Sequence, residues 1–264
     1  MRPQRPSDYA RGGHRDRRDP RPVSVSAYDG FARFYDATMG DGAVNSGLIM
    51  AAVERWRPQS SSLLELGCGT GSVLAGLDAM ASLTGIDASP AMLVVAGDKV
   101  PRARLLQGDI AQFQLNERFD VVACVFDTLN HLTTFAQWVT CLECVAQHLE
   151  PGGLFIFDVN TTGRLAELVD SPPWVVRVNG STLTMTVVNA GHSLVTWQIE
   201  VQERTDDGGT RTTLERVQEL GVELDMIRSA LSADFEVLDE DDGLGDRPDD
   251  QSPRAHIVCR LRDH

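Results

Sequence analysis

The stretch LLELGCGTGSV, residues 63–73, is the most informative part of this sequence. A short apolar run carries the acid Glu65 and leads into three glycines at alternate positions, Gly67, Gly69 and Gly71. This order is typical of a buried parallel strand, a tight turn and the first turn of a helix. Because glycine adopts backbone angles closed to other residues, a ligand can approach the main chain there and meet the free amides of the helix. A structural turn without ligand is the alternative.

The charge next to this loop indicates which ligand it binds. In the dinucleotide pattern a third glycine follows three positions after the second, and Ser72 stands at that place. A pyrophosphate would be repelled by the carboxylate of Glu65. S-adenosylmethionine has no phosphate and carries an ammonium and a sulfonium, which a nearby carboxylate attracts. The loop therefore predicts S-adenosylmethionine as the cofactor.

Size and composition limit the classes of partner. The chain has 264 residues, a hydrophobic share of 42% and a net charge of −14. That charge disfavours nucleic acid and anionic membranes, and no apolar run approaches the ~20 residues of a membrane span. The five cysteines are odd in number, and we find no secretory signal pattern. We expect a cytoplasmic protein with no nucleic-acid or membrane partner, and we keep a homodimer open.

The N-terminal quarter is predicted to contain two parts. Residues 1–26 are rich in arginine and proline and poor in apolar residues, which is typical of a disordered tail, with a polyanion-binding arm as the alternative. Residues 27–62 are predicted to form a helical lid. Its aromatic segment YDGFARFYD contains Tyr28 and Tyr35, whose phenols either reach into the cofactor pocket or pack on the core.

The remainder alternates strands and helices and then changes its periodicity. Residues 63–160 and 218–264 predict a doubly wound, Rossmann-like α/β core. Residues 161–217 contain alternating apolar and polar positions around the hairpin signal Asn179-Gly180, and no helices separate the strands. They predict an antiparallel sheet inserted over the acceptor site.

Two acids follow strands of the predicted core. Asp87 ends the second strand, at the place where a ribose binds in doubly wound folds; its alternative role as a helix cap is already filled by Ser89, ahead of Pro90. Asp109 follows the third strand and could accept a hydrogen bond from an adenine amino group, or serve as an ordinary turn aspartate.

The fourth strand, FDVVACVF, ends in the polar cluster DTLNHL, residues 127–132. Ligands of open α/β sheets bind at this end of a central strand. His131 is the first candidate for a general base, because its unperturbed pKa lies near neutrality. We expect Asp127 or Asp158 to orient its imidazole. A histidine without a role in the reaction is the alternative.

Two other patterns are weak signals for a metal. Cys141 and Cys144 have C-x-x-C spacing, but no second pair lies nearby. The acidic segment DEDDGLGDRPDDQSP, residues 239–253, matches no calcium loop and is predicted to be a solvated, mobile connection. We expect no metal.

With ELGCGTG, GIDASPAML, LLQGDI and FDVVACVFDTLNHL in order, the chain resembles the class I S-adenosylmethionine-dependent methyltransferases, and more narrowly the aminosugar N-methyltransferases of antibiotic pathways. The resemblance implies a seven-stranded, mostly parallel sheet with one reversed strand at its edge. It implies that Glu65 and the glycine loop hold the methionine part, Asp87 the ribose, and Asp109 with Ile110 the adenine. The implied cofactor contacts are Tyr28, Tyr35, Glu65, Gly67, Cys68, Gly69, Asp87, Ala88, Met92, Asp109, Ile110 and Phe126.

The function predicted is methyl transfer from S-adenosylmethionine, giving S-adenosylhomocysteine, to the nitrogen or oxygen of a small molecule in secondary metabolism. His131, Tyr35 and Asp127 are the candidate catalytic residues. Where the aminosugar enzymes have a small or hydroxyl residue, this chain has Asp127, so their substrate cannot simply be carried over. An NAD(P)-dependent oxidoreductase or epimerase and a non-catalytic cofactor-binding partner protein are the alternatives.

Overall fold

A computed structural model of the chain describes residues 28–205 and 207–263. The predicted tail, residues 1–26, lies outside the described residues. The described chain forms two sheets, one of seven strands and one of four.

The larger sheet has the strand order β10-β11-β5-β4-β1-β2-β3. Its strands β1 to β4 are parallel to one another and to β5. The short apolar runs that the sequence places between helical segments become these strands because both of their faces are covered by helices. The strands are β1 (Ser62–Leu66), β2 (Ser82–Asp87), β3 (Arg104–Gln107), β4 (Phe119–Cys124), β5 (Leu149–Val159), β10 (Phe235–Asp241) and β11 (Ala255–Leu261).

Within the described residues, seven α-helices and two short 3₁₀ helices accompany the sheets. The predicted cap is confirmed, because the side chain of Ser89 accepts from the backbone N–H of Met92. Thr134 forms a capping box with Gln137. The helices are α1 (Tyr35–Met39), α2 (Ala43–Trp56), α3 (Ser72–Ala75), α4 (Pro90–Lys99), α5 (Phe135–His148), α6 (Thr162–Asp170) and α7 (Leu224–Leu231), with 3₁₀ turns at Ala32–Phe34 and Thr128–His131.

The core lies on both sides of the larger sheet. On one side α5 and α7 pack around Trp138 and Phe155, and on the other α2 and α3 pack around Ile49 and Leu74. These side chains are at most 1% exposed. The doubly wound α/β arrangement predicted from the sequence is confirmed.

The smaller sheet is antiparallel throughout, in the order β6-β7-β8-β9. Along β7 the side chains alternate between buried and half-buried, because one face packs on the molecule and the other meets solvent. The predicted insertion of an antiparallel sheet is confirmed, and its last strand extends three residues beyond the predicted limit at 217. The strands are β6 (Trp174–Val178), β7 (Ser181–Gly191), β8 (Leu194–Arg204) and β9 (Thr210–Leu220).

Two details differ from expectation. The reversed strand is β11, which lies one position in from the edge because β10 pairs with its outer side. The acidic segment is tied to the fold rather than solvated throughout: Glu240 binds the guanidinium of Arg228, and the carboxylate and carbonyl of Asp250 accept from the N–H groups of Leu224 and Gly163. Among the helices of the described residues, none has the length and apolar character needed to cross a membrane.

Candidate active site

A cavity of about 810 Å³ opens at the carboxyl ends of β1, β2 and β4, beneath β8 and β9. This is where ligands of open α/β sheets bind, and the size is typical of a ligand site. Most of the predicted site residues meet here: Tyr28, Tyr35, Gly67, Gly69, Asp87, Ala88, Met92, Asp109, Ile110, Phe126, Asp127 and His131.

The glycine loop forms one wall of this cavity. Gly67 and Gly69 have φ angles of +68° and +51°, which a side chain would strain. The Thr128 methyl group would lie 2.3 Å from a Cβ at Gly67. The loop is fixed to the end of β2, because Gly67 N–H and Cys68 N–H both donate to the carbonyl of Ile86. Backbone therefore faces the cavity at close range.

Two predicted residues do not line the cavity. Cys68 is 4% exposed and packs in the core, with its sulfur beside Gly85. Glu65 is 3% exposed, and its Oε2 has no hydrogen-bond partner among the described residues. Burial raises the pKa of Glu65 well above its usual range, and the charge of Asp87 raises it further. A buried carboxylate without a partner is costly unless a cation approaches it.

Asp87 joins the loop to the next helix and still faces the cavity. Its Oδ2 accepts from Gly69 N–H and its Oδ1 from Ser89 N–H, both at 2.8 Å. Burial raises the pKa of Asp87, and these two hydrogen bonds oppose that shift. Further along the cavity, Asp109 accepts from the N–H of Ala111. Each carboxylate keeps lone pairs for a ligand.

After β4 the chain takes a strained conformation at two non-glycine residues. Phe126 and Asp127 have φ angles of +58° and +49°. Their N–H groups both donate to the carboxylate of Asp158, which is fully buried. Arg254 binds Asp127 and Asp158, with N–O distances of 2.7 Å to each. Left-handed backbone outside glycine persists where surrounding contacts over-determine it, and it aims the following turn at the cavity.

His131 lies at the end of that turn. Its Nδ1 is 3.2 Å from the carbonyl oxygen of Gln218, which can only accept, so Nδ1 carries the proton of the neutral ring. Nε2 then offers its lone pair to the Tyr28 hydroxyl, 3.3 Å away. Asp127 and Asp158 bind Arg254 instead of the imidazole, so the expectation that one of them orients His131 is wrong. The backbone of β9 does so.

The aromatic segment closes another side of the cavity. Tyr28 contacts the rings of His131 and Tyr35 edge-on, with centroids 5.8 and 6.1 Å apart. Burial raises the pKa of both tyrosines, so they face the cavity as neutral hydroxyls. Phe31 and Phe34 pack on the apolar face of the smaller sheet. Both uses weighed for this segment, pocket wall and packing, are therefore present in the structure.

The inserted sheet supplies cavity residues that the sequence analysis did not name. They are Met185 of β7, Trp197 of β8, and Arg216, Val217, Gln218 and Glu219 of β9. Met185 and Trp197 occupy alternate positions on the apolar face, and Glu219 is 3% exposed on the corresponding face of β9. Burial raises the pKa of Glu219 to about 7. One sequence signal could have identified Glu219: it lies two residues after Val217, so the alternation of the strand places it on the same inward face.

Comparison with known families identifies one domain. Residues 63–153 match the model of a methyltransferase domain family. Among curated relatives, the sequence is 36% identical over 111 residues to the dTDP-3-amino-3,6-dideoxy-alpha-D-glucopyranose N,N-dimethyltransferase of Streptomyces fradiae, covering 42% of this chain and 44% of the relative. It is 32% identical over 135 residues to the dTDP-3-amino-3,4,6-trideoxy-alpha-D-glucopyranose N,N-dimethyltransferase of Streptomyces venezuelae, covering 51% and 57%. The chain spans about half the length of the curated relatives it matches.

Solved structures share the fold over much more of the chain. A S-adenosylmethionine-dependent methyltransferase from Clostridium acetobutylicum superposes with a TM-score of 0.79 at 22% identity, covering 89% of this chain and 99% of that one. A sugar N-methyltransferase from a Streptoalloteichus species superposes with a TM-score of 0.75 at 22% identity, covering 100% and 99%. At these identities the likeness establishes the fold. The resemblance to S-adenosylmethionine-dependent methyltransferases stated from the sequence is confirmed.

Proposed function

We propose that this chain transfers a methyl group from S-adenosylmethionine to the nitrogen of a small-molecule acceptor, an amino sugar of the kind named in its relatives. The observation that carries the proposal is the charge of the cavity. Among the described residues, its lining includes four acids and one arginine, and the buried carboxylate of Glu65 lies beneath it. Around the glycine loop this charge favours a cofactor with an ammonium and a sulfonium over a dinucleotide, whose pyrophosphate would lie against the loop. The acids are Asp87, Asp109, Asp127 and Glu219.

The residues present fit the cofactor. Oε2 of Glu65 has no hydrogen-bond partner among the described residues, so it is available to accept from the ammonium of the cofactor. The backbone of the glycine loop is exposed beside it. Each oxygen of Asp87 accepts one backbone N–H and keeps a lone pair for a ribose hydroxyl, and Asp109 keeps lone pairs for an adenine amino group. Met92 and Phe126 supply apolar walls. When bound, S-adenosylmethionine supplies a methyl carbon made electrophilic by the sulfonium.

The protein's own task is to position the acceptor and to move protons. Tyr28, Tyr35 and the inserted sheet surround the cavity beside the glycine loop, so they hold the acceptor and exclude water. The amine must attack through a free lone pair, and the methylated product must then release a proton. The lone pair of His131 Nε2, which lies 3.3 Å from the Tyr28 hydroxyl, supports a role for this imidazole as the acceptor of that proton. Biosynthesis of a secondary metabolite is the setting we infer from the relatives.

The test is calorimetric titration with S-adenosylmethionine and S-adenosylhomocysteine. We expect wild-type binding in the micromolar range, roughly −8 kcal/mol. Asp87→Ala should weaken it at least tenfold, because both ribose hydroxyls lose their acceptor. Asp98→Ala, an exposed change on α4, is the matched control and should bind normally. No heat with either ligand, together with binding of NADH, would contradict the proposal and favour the oxidoreductase alternative.

His131→Ala separates the chemical step from cofactor binding. Because His131 contacts Tyr28 and the backbone of β9 rather than the glycine loop, we expect it to lower turnover at least tenfold and to change cofactor affinity little. Single-turnover methylation measures the rate of the chemical step, and the same calorimetry measures cofactor affinity. Equal losses of rate and affinity would show that His131 has no specific role in the chemical step.

A further inference from the structure

Glu219 is an acid in a place where the fold predicts an apolar side chain. It lies on β9 opposite Val195 of β8, on the same face of the strand as Val217. Its side chain lines the cavity although only 3% of the residue is exposed. Ionised carboxylates are rarely buried this far unless a positive group pairs with them.

No such group pairs with Glu219 among the described residues. The amide of Asn160 donates to its Oε2 at 3.2 Å, which satisfies one lone pair without neutralising the charge. The nearby guanidinium of Arg254 is engaged by Asp127 and Asp158. Polar atoms of Glu219, Asp127 and His131 lie within 4.8 Å of one another. This end of the cavity therefore carries uncompensated negative charge.

The neighbouring indole faces the same carboxylate. Trp197 lines the cavity on the next strand, and its N–H, like the amide of Asn160, acts on Glu219 and opposes the rise in the pKa of that carboxyl. Neither of these donors carries the positive charge that pairs with a buried carboxylate. Burial of Glu219 also raises its pKa to about 7, so the side chain can exchange a proton near neutral pH.

We propose that Glu219 binds the ammonium group of the acceptor, takes one proton from it, and so makes the site select amines over hydroxyls. This inference rests on the proposed function. The proton moves from R–NH₃⁺ to the carboxylate, giving R–NH₂ and a neutral acid. The nitrogen lone pair then forms the N–C bond while the electrons of the C–S bond leave on sulfur. The product R–NH₂⁺–CH₃ passes its surplus proton to His131.

A divalent cation on the same three side chains is the competing interpretation, and one contact opposes it. Oδ1 of Asp127 is 2.7 Å from the guanidinium of Arg254. Arg254 would repel a metal bound to Asp127. An organic ammonium needs only hydrogen-bond acceptors, which Glu219 supplies.

The experiment compares two probes that differ in one group. Protein saturated with S-adenosylhomocysteine is titrated at pH 7.5, in EDTA, with dTDP-3-amino-3,6-dideoxyglucose and with its 3-hydroxy counterpart, dTDP-6-deoxyglucose. We expect wild type to bind the amine at least tenfold more tightly. Glu219→Gln should lose roughly 10- to 100-fold for the amine and little for the hydroxyl, as expected for a hydrogen bond to a charged group. Glu200→Gln, on β8 outside the cavity, is the matched control and should keep the preference.

Each other outcome overturns the inference. Equal losses for both probes would assign Glu219 a structural role. A wild type without preference, or one that binds neither probe while it still binds S-adenosylhomocysteine, would remove amine selection and leave the proposed cofactor function intact. Amine binding that appears only when Mg²⁺ replaces EDTA would assign the corner to a metal. Failure to bind S-adenosylhomocysteine at all would remove the proposed function as well.

Discussion

At the scale of single residues, Glu65 shows how a stability cost can mark a function. Its neighbours on β1 are apolar side chains with no exposed surface, and a leucine in its place would fit that pattern. A carboxyl that is buried without a partner destabilises the fold, so it lowers the free energy of unfolding. A role in binding a cation explains why an acid stands there.

Glu65 predicts that cofactor binding releases a proton. In the ligand-free protein burial holds the pKa of Glu65 well above its usual range, which favours the protonated carboxyl. A cationic ligand favours the carboxylate and lowers that pKa, so the proton leaves and affinity rises with pH. Calorimetry with S-adenosylmethionine in phosphate and in Tris should give different enthalpies, because the two buffers absorb the proton with different heats. Glu65→Gln should remove most of the difference, and equal enthalpies in wild type would contradict the idea.

Asp120 makes an opposite, stabilising contribution at the start of β4. Partial burial raises its pKa, but hydrogen bonds from Ser61 N–H, Arg57 and Ser62 outweigh that effect and lower it to about 2. A lowered pKa stabilises the fold above the unfolded value near 4 and loses that contribution as pH falls toward 2. Because the group is partly solvated, we expect about 1 kcal/mol. Urea unfolding should show that Asp120→Asn has a lower free energy of unfolding than wild type, by a constant amount above pH 4 and by a smaller amount below it. A difference independent of pH would contradict a role for the charge of Asp120.

At the scale of elements, the segment from Tyr28 to Met39 holds the cavity closed from one side. The sequence predicted a helical lid here, and the structure has a 3₁₀ turn followed by α1. Asp36 ties α1 to the glycine loop through Thr70 and to α4 through Lys99, with donor–acceptor distances of 2.5 Å each. These contacts fit the predicted lid, which stays a prediction.

Removing this tie should loosen cofactor binding. Asp36→Ala breaks both contacts without touching the cavity lining, so we expect dissociation of S-adenosylmethionine to become about 3- to 10-fold faster with a small change in its association rate. Stopped-flow displacement by S-adenosylhomocysteine measures this. Glu54→Ala, an exposed change on α2, should leave the rate unchanged. An unchanged dissociation rate in Asp36→Ala would mean that the segment does not gate the site.

The sequence could predict the elements of the core better than the contacts between sheets. Periodicity placed the strands and the glycine loop, because burial on both faces imposes a local pattern on the chain. The carboxyl ends of parallel strands meet at one edge, so the positions of Asp87 and His131 at the cavity could also be predicted. Glu219 could not, because its direction depends on the register of β9 and on how the inserted sheet docks. The partner of Asp158 was missed because Arg254 is 96 residues away in the sequence.

At the scale of the whole molecule, the site exists only while the two sheets stay in place. Asn130, fully buried, donates to the carbonyls of Asn160 and Leu220 at 3.0 Å, and so joins the turn after β4 to the ends of β5 and β9. Arg254, just before β11, secures the same turn through Asp127 and Asp158. The strained backbone that carries His131 therefore depends on residues from the C-terminal end of the fold.

Arg254→Met tests this dependence through stability and pH. The variant leaves the fully buried Asp158 without its cation, so we expect a loss of about 3 kcal/mol at neutral pH. Burial already raises the pKa of Asp158 and Arg254 opposes that shift, so the substitution raises it further above the unfolded value near 4. A raised pKa gives stability that is lost as pH rises, so the loss of stability in Arg254→Met should be larger at pH 8 than at pH 5.

Urea unfolding at pH 5 and pH 8 measures this loss. Arg260→Met is the matched control, because the ion pair of Arg260 with Glu236 is long and exposed. Adding Asp158→Asn to Arg254→Met should remove the pH dependence, and a deficit equal at both pH values would show that Arg254 acts through packing rather than charge.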